Sequence, residues 1–298
     1  MKYPQFRGTG VALVTPFKNG EIDWAGLESV IEHVIKGGCD FLVSLGSTGE
    51  TATLNPEESR QIVDFTIKVN KGRLPIVVGM FGLNDTKRLV ANLKAFDLKD
   101  VDALLCSNPS YNKPTQEGIY QHYMQVVDAC PLPIILYNVP SRTGSNMLPE
   151  TVVRLAKENP KFIGIKEATG DISQNTQIIK DTPEDFLVLS GDDPTALAGV
   201  GCGADGVISV LANALPFQWT SMMRAGLDGD FAKAQQLNMQ LFDLHHWMYV
   251  EGNPAGVKGA LQLQGITETR DVRLPLVNLS EKSLTNLKKE IEKCLQPS

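Results

Sequence analysis

The chain has 298 residues, 42% hydrophobic and 21% charged, which is the composition of a globular protein long enough for one large core or two smaller ones. A net charge of -6 without any run of like charges argues against nucleic acid or an anionic membrane as partner, since both need a basic face. Cys39, Cys106, Cys130, Cys202 and Cys294 show no C-x-x-C spacing and the start Met1-Lys2-Tyr3-Pro4-Gln5-Phe6 has no apolar signal segment, so a cytoplasmic protein acting on small molecules is expected.

Along the chain, short apolar runs alternate with amphipathic segments every roughly 25 to 30 residues, the rhythm of repeated βα units. The predicted strands are 10–14, 40–45, 75–78, 103–106, 134–137, 162–166, 186–189 and 206–210. Between them, Asp23 offers an N-cap ahead of Leu27, Ile31 and Ile35 on one helical face. Asn55-Pro56-Glu57-Glu58 is a clearer start, with a cap, a first-turn proline and two acids at the positive end of the helix dipole.

Strand-then-helix units repeated in this number predict an α/β protein with a closed (β/α)8 barrel of TIM type. An open doubly wound sheet usually carries a Gly-rich dinucleotide turn, and no G-x-G-x-x-G follows the first strand here. Beyond it, apolar periodicity at 217–227, 231–250, 256–264 and 280–295 predicts surplus helices. The expected division is a barrel over 1–225 and a C-terminal helical extension over 226–298. Leu284, Leu287, Ile291 and Leu295 share one face of the last helix, which suits packing on the barrel or on a second subunit.

In such barrels the chemistry collects at the carboxyl ends of strands. The second strand ends in Gly46-Ser47-Thr48-Gly49-Glu50, the fourth in Asn108-Pro109-Ser110-Tyr111-Asn112, and the fifth in Tyr137-Asn138-Val139-Pro140-Ser141-Arg142. The seventh ends in Ser190-Gly191-Asp192-Asp193, and the sixth, Phe162-Ile163-Gly164-Ile165, runs straight into Lys166. Judged locally, Lys166 either leaves the sheet and snorkels to water or is an amine tuned to attack a carbonyl. An unperturbed lysine, with pKa about 10.4, would be neutral in only about one molecule in a few thousand at pH 7. The Gly-Ser-Thr-Gly turn offers backbone amides and two hydroxyls for a small carboxylate, or simply caps the next helix.

No metal and no cofactor is expected. His33, His122, His245 and His246 lack H-x-H or H-E-x-x-H spacing and none follows a predicted strand; His122 reads as a helix-surface residue. Asp192-Asp193 reads as a helix cap and a loop charge. Gly203-Ala204-Asp205-Gly206 precedes the eighth strand and reads as a turn at the opposite face.

From Gly8 to about Leu276 the chain resembles the dihydrodipicolinate synthase and N-acetylneuraminate lyase family of class I aldolases. The markers are Gly46-Ser47-Thr48-Gly49-Glu50, Tyr137-Asn138-Val139-Pro140-Ser141-Arg142-Thr143-Gly144, Gly164-Ile165-Lys166-Glu167-Ala168-Thr169-Gly170 and Ser190-Gly191-Asp192-Asp193. The resemblance implies that Lys166 forms a Schiff base with pyruvate, that the Thr48 turn holds the pyruvate carboxylate, and that Ile208 lines the pocket through its main chain. It implies Tyr137 as proton donor and acceptor, Ser47 as a link from Tyr137 to Tyr111, and Gly191 among the substrate-binding residues. Tyr111 would come from the neighbouring subunit of a tight dimer, two of which usually form a tetramer.

The Ser-Arg-Thr-Gly loop resembles the synthase branch, in which Arg142 would hold the carboxylate of L-aspartate 4-semialdehyde. The alternatives are a sialic acid or deoxy sugar acid lyase using the same Schiff base, or a non-catalytic keto-acid-binding barrel. Ser47 departs from the threonine of many synthases but keeps the hydroxyl. Lysine-inhibited members carry a histidine or glutamate and an aromatic where this chain reads Pro56, Ser59, Arg88 and Ser110, although Asn84 fits, so weak or absent feedback by lysine is expected.

Overall fold

The computed structural model describes residues 2–80 and 84–295, so the last three residues of the expected extension lie outside the described residues. The strands are β1 (Gly8–Ala12), β2 (Phe41–Ser44), β3 (Ile76–Met80), β4 (Ala103–Ser107), β5 (Ile134–Asn138), β6 (Phe162–Glu167), β7 (Leu187–Ser190) and β8 (Gly206–Ser209). They form a closed barrel in the order β1-β8-β7-β6-β5-β4-β3-β2, as the sequence predicts to within a few residues at each end. A small antiparallel hairpin, Phe17–Lys18 with Glu21–Ile22, was not predicted; its two-residue strands are too short to leave a periodic signal.

By its internal contacts the chain divides into two compact units, one of Met1–Arg7 with Pro75–Ile208 and the other of Gly8–Leu74 with Ser209–Ser298. In the first, β3 through β8 pair in parallel, each strand with the next. Leu104, Leu105, Ile135, Leu136, Ile165, Val188, Leu189 and Val207 are all buried. That accounts for apolar runs without strict alternation, since parallel strands are covered on both faces. Truncating one such side chain to alanine costs about 2 to 5 kcal/mol. His122 belongs to this core and not to a helix surface: it lies on the helix Gln116–Ala129, 4% exposed, with Nδ1 2.9 Å from Thr86 Oγ1. Burial pushes its pKa down to about 4.

In the second unit β1 and β2 pair in parallel. Asp23 caps the helix Trp24–Lys36 by accepting from Gly26 N at 3.0 Å. Asn55 and Glu58 form a full capping box for the helix Pro56–Asn70: Glu58 N donates to Asn55 Oδ1 and Asn55 N to Glu58 Oε2, both at 2.9 Å. Pro56 at the first helical position has no N–H to leave unsatisfied there. The surplus helices are present as Pro216–Leu227, Phe231–Tyr249, Ala255–Leu263 and Glu281–Cys294. On the last, Leu287 and Ile291 are buried, but Leu295, just past its end, is 49% exposed and extends the face only weakly. Among the described residues no helix is long and apolar enough to cross a membrane.

Candidate active site

In the first unit the site is built at the carboxyl ends of β5 and β6, which pair with Tyr137 opposite Lys166 and Asn138 opposite Glu167. Strand alternation sends Tyr137 and Lys166 to one face and Asn138 and Glu167 to the other. Lys166 Nζ stands 4.5 Å from the centre of the Tyr137 ring, and the residues are only 6% and 4% exposed. The lysine therefore does not snorkel to water.

Its course depends on Gly191, just beyond β7. A Cβ there would lie 2.9 Å from Lys166 Cε, 3.0 Å from its Cγ and 2.7 Å from Ala168 Cβ. The absence of a side chain at this position is what lets the lysine stem pass. Gly191 N donates to Glu167 O at 2.6 Å, which ties the turn after β7 to the end of β6.

Behind the lysine, the Glu167 carboxylate is fully buried. Its Oε2 accepts from Asn138 Nδ2 at 2.8 Å and Gln174 Nε2 at 2.9 Å, and its Oε1 from Thr169 N at 2.8 Å. Burial raises its pKa, while the hydrogen bonds from Asn138, Thr169 and Gln174 oppose the rise. Asn138 continues the net: its Nδ2 donates to Asn146 Oδ1 at 2.7 Å and its Oδ1 accepts from Met147 N at 2.9 Å. A buried, satisfied network of this kind fixes the backbone on which Tyr137 and Lys166 stand. The sequence reading did not single out Glu167 beyond its place in the motif; its glutamate at the end of an apolar strand was the available signal.

Tyr111 and Arg142 occupy two loops that touch. Tyr111 N donates to Thr143 O at 3.1 Å, and Thr143 ends the helical turn Pro140–Thr143 that carries Arg142. Both side chains face solvent, Tyr111 with 84% of its surface exposed. Ile208 is buried within β8. Asp192 is the expected cap, its Oδ2 accepting from Thr195 N at 3.2 Å. Asp193 corrects the sequence reading: it is 2% exposed, not a solvated loop charge.

In the second unit, Ser47–Gly49 forms a single 3-10 turn after β2, entered through Leu45 at φ 56° and left through Glu50 at φ 55°. Thr48 is buried and its Oγ1 accepts from Asn253 Nδ2 at 3.0 Å, while Ser47 is half-buried. The turn is further held by Thr51 Oγ1 donating to Gly46 O at 3.0 Å and Thr15 Oγ1 donating to Gly49 O at 2.8 Å. At its end the Glu50 carboxylate pairs with Lys258 of the helix Ala255–Leu263, with side chains 1% and 3% exposed. Burial lowers the Lys258 pKa to about 8 against the opposing pull of Glu50. This ion pair was missed in the sequence because its partners are 208 residues apart, although a single lysine inside Ala-Gly-Val-Lys-Gly-Ala-Leu was its signal.

Among the described residues no group of three or more His, Cys, Asp or Glu is placed to hold a metal ion.

A buried lysine beside a tyrosine at the ends of neighbouring strands of a closed parallel barrel places the protein among the lysine-bearing (β/α)8-barrel lyases. The model of the dihydrodipicolinate synthetase family matches residues 5–294, and the chain belongs to that family. It is 47% identical over 277 residues to a 4-hydroxy-tetrahydrodipicolinate synthase of Flavobacterium psychrophilum, covering 93% of this chain and 94% of that protein. Among solved structures, the dihydrodipicolinate synthase of Thermotoga maritima superposes with a TM-score of 0.94 at 38% identity, over 97% of this chain and 99% of that one. The chloride-inhibited dihydrodipicolinate synthase of Acinetobacter baumannii, solved in complex with pyruvate, gives a TM-score of 0.92 at 41% identity over 97% and 98% of the two chains.

Proposed function

We propose that this protein is a lysine-dependent lyase that condenses pyruvate with L-aspartate 4-semialdehyde, the reaction of a 4-hydroxy-tetrahydrodipicolinate synthase at the entry to diaminopimelate and lysine synthesis. The observation that carries the reading is Lys166, buried at the end of β6 with Nζ 4.5 Å from the Tyr137 ring and a glycine at position 191 leaving room for its stem.

In this reading the Lys166 amine attacks the keto carbon of pyruvate and forms a C–N bond, and the carbonyl oxygen leaves as water after protonation through Tyr137. Loss of a methyl proton gives an enamine whose carbon bonds to the aldehyde carbon of the second substrate. The amine of that substrate then attacks the imine carbon, closing a six-membered ring and releasing Lys166. No redox cofactor enters this balance. The amides and hydroxyls of the turn at Thr48 suit the pyruvate carboxylate, and Ile208 and Gly191 suit the pocket wall. Arg142, exposed on its loop, suits the carboxylate of the aldehyde substrate, which a guanidinium can hold through two parallel hydrogen bonds.

Ser47 and Tyr111 are the remaining proton carriers. The 84% exposure of Tyr111 supports the family arrangement in which this phenol serves the neighbouring subunit's site. Apolar side chains exposed on the C-terminal helices, Phe217, Phe231, Met239 and Phe242, support an assembly of subunits, with a cytoplasmic tetramer of tight dimers as the form proposed.

The test is a steady-state assay offering pyruvate with L-aspartate 4-semialdehyde or with a sugar aldehyde such as N-acetylmannosamine. Faster condensation with the semialdehyde is expected, and faster condensation with the sugar would overturn the substrate assignment.

A further inference from the structure

The Gly46–Glu50 segment is held from one end by an unusual arrangement. Glu50 sits in the left-handed region at φ 55°, and its backbone N–H closes the 3-10 turn by donating to Ser47 O at 3.1 Å. Its side chain points inward, where Oε1 takes the Lys258 ammonium at 2.5 Å and Oε2 accepts from Arg273 N at 2.9 Å. Lys258 is fully engaged: Nζ also donates to Asp271 O at 2.7 Å and lies 4.2 Å from the centre of the Phe17 ring. Arg273 packs on that same ring at 4.3 Å and pairs with Glu58 at 2.6 Å, so its guanidinium is already engaged.

A strained non-glycine residue persists only where its surroundings over-determine it. At Glu50 the surroundings are these contacts, and the lysine supplies the only cationic side chain that pairs with the carboxylate among the described residues. A carboxylate stripped of its partner in a dry site would be driven outward. That movement would turn the backbone that carries Ser47 and Thr48.

We infer that Lys258 is a positioning residue for the carboxylate-binding turn: through Glu50 it fixes the backbone amides and hydroxyls of Ser47–Gly49 in the geometry that receives the keto acid. The inference rests on the pyruvate reading above. It concerns the turn that receives the first substrate, so its signature is a split between the two Michaelis constants.

The experiment is steady-state kinetics on Lys258→Met, with folding checked by circular dichroism, beside borohydride trapping of the pyruvate adduct. KM for pyruvate should rise at least tenfold while KM for the aldehyde changes less than twofold; kcat, which the Ser47 hydroxyl also serves, is not the deciding readout. Should K258M fail to fold, the E50Q/K258M pair, which leaves no buried charge unpaired, decides by the same readout. A folded variant with wild-type pyruvate KM overturns the inference, as does failure of both variants to fold, since the pair would then serve the fold and not the turn. Absence of any adduct in the unaltered protein would instead refute the pyruvate reading itself, which keeps the two failures apart.

Discussion

Tyr137 and Lys166 stand opposite one another on neighbouring parallel strands, with the lysine nitrogen 4.5 Å from the centre of the tyrosine ring. The strand pairing sets this distance, so the two groups do not rely on a flexible loop to meet. Tyr137→Phe keeps the ring over the lysine and removes only the hydroxyl. Its kcat should fall by about 10² to 10⁴, the usual contribution of a positioned proton carrier, with the melting temperature nearly unchanged. A kcat within a factor of about three of the parent would show that protons move by another route.

Arg142 sits exposed on the turn Pro140–Thr143. Charge-assisted hydrogen bonds contribute about 1.5 to 3 kcal/mol, so Arg142→Ala should raise KM for the aldehyde about 10- to 150-fold. KM for pyruvate should stay put. Equal rises in both constants would mean that the arginine holds the loop and not the substrate.

His122 gives a stability prediction with a definite sign. Its pKa is lowered from 6.5 to about 4 by burial, so the folded state prefers the neutral ring. The contribution is present above pH 6.5 and is lost as the pH falls through that value toward about 4, because the unfolded chain takes up the proton first. At 1.36 kcal/mol per unit, the loss by pH 4.5 is about 2.5 kcal/mol. Chemical denaturation of the parent and of His122→Gln at pH 7.5 and 4.5 should show the parent losing more stability by about that amount; parallel losses would contradict it.

Feedback by lysine should be weak or absent. Ser110 offers neither an aromatic face nor a phenol, and its hydroxyl is engaged with Asn84 Oδ1 at 3.1 Å. Arg88 brings a like charge to a cationic effector. Pro56 and Ser59 belong to a helix start where the serine hydroxyl donates to Asn55 O at 2.9 Å. Initial rates at saturating pyruvate should be unchanged by millimolar L-lysine, and half-inhibition at micromolar L-lysine would refute this.

The fold was legible in the sequence because the information it needs is local. The alternation of short apolar runs with capped amphipathic segments carried the strand count, and Asn55-Pro56-Glu57-Glu58 carried a helix start that the capping box reproduces. The lysine-bearing strand end was legible for the same reason. What stayed hidden depends on contacts across the chain. His122 looked like a surface residue because nothing near it in sequence reveals the Thr86 hydroxyl that meets its ring. A lone lysine in an apolar stretch marks Lys258 without naming its partner, and only folding brings the acid of a turn to a lysine of a C-terminal helix.

The central claim is that Lys166 carries pyruvate as a covalent imine. Incubation with pyruvate, reduction with borohydride and peptide mass mapping tests it directly. A reduced three-carbon adduct on the peptide bearing Lys166, absent without pyruvate, is the result expected. An unmodified Lys166 in protein that still turns over would contradict the account.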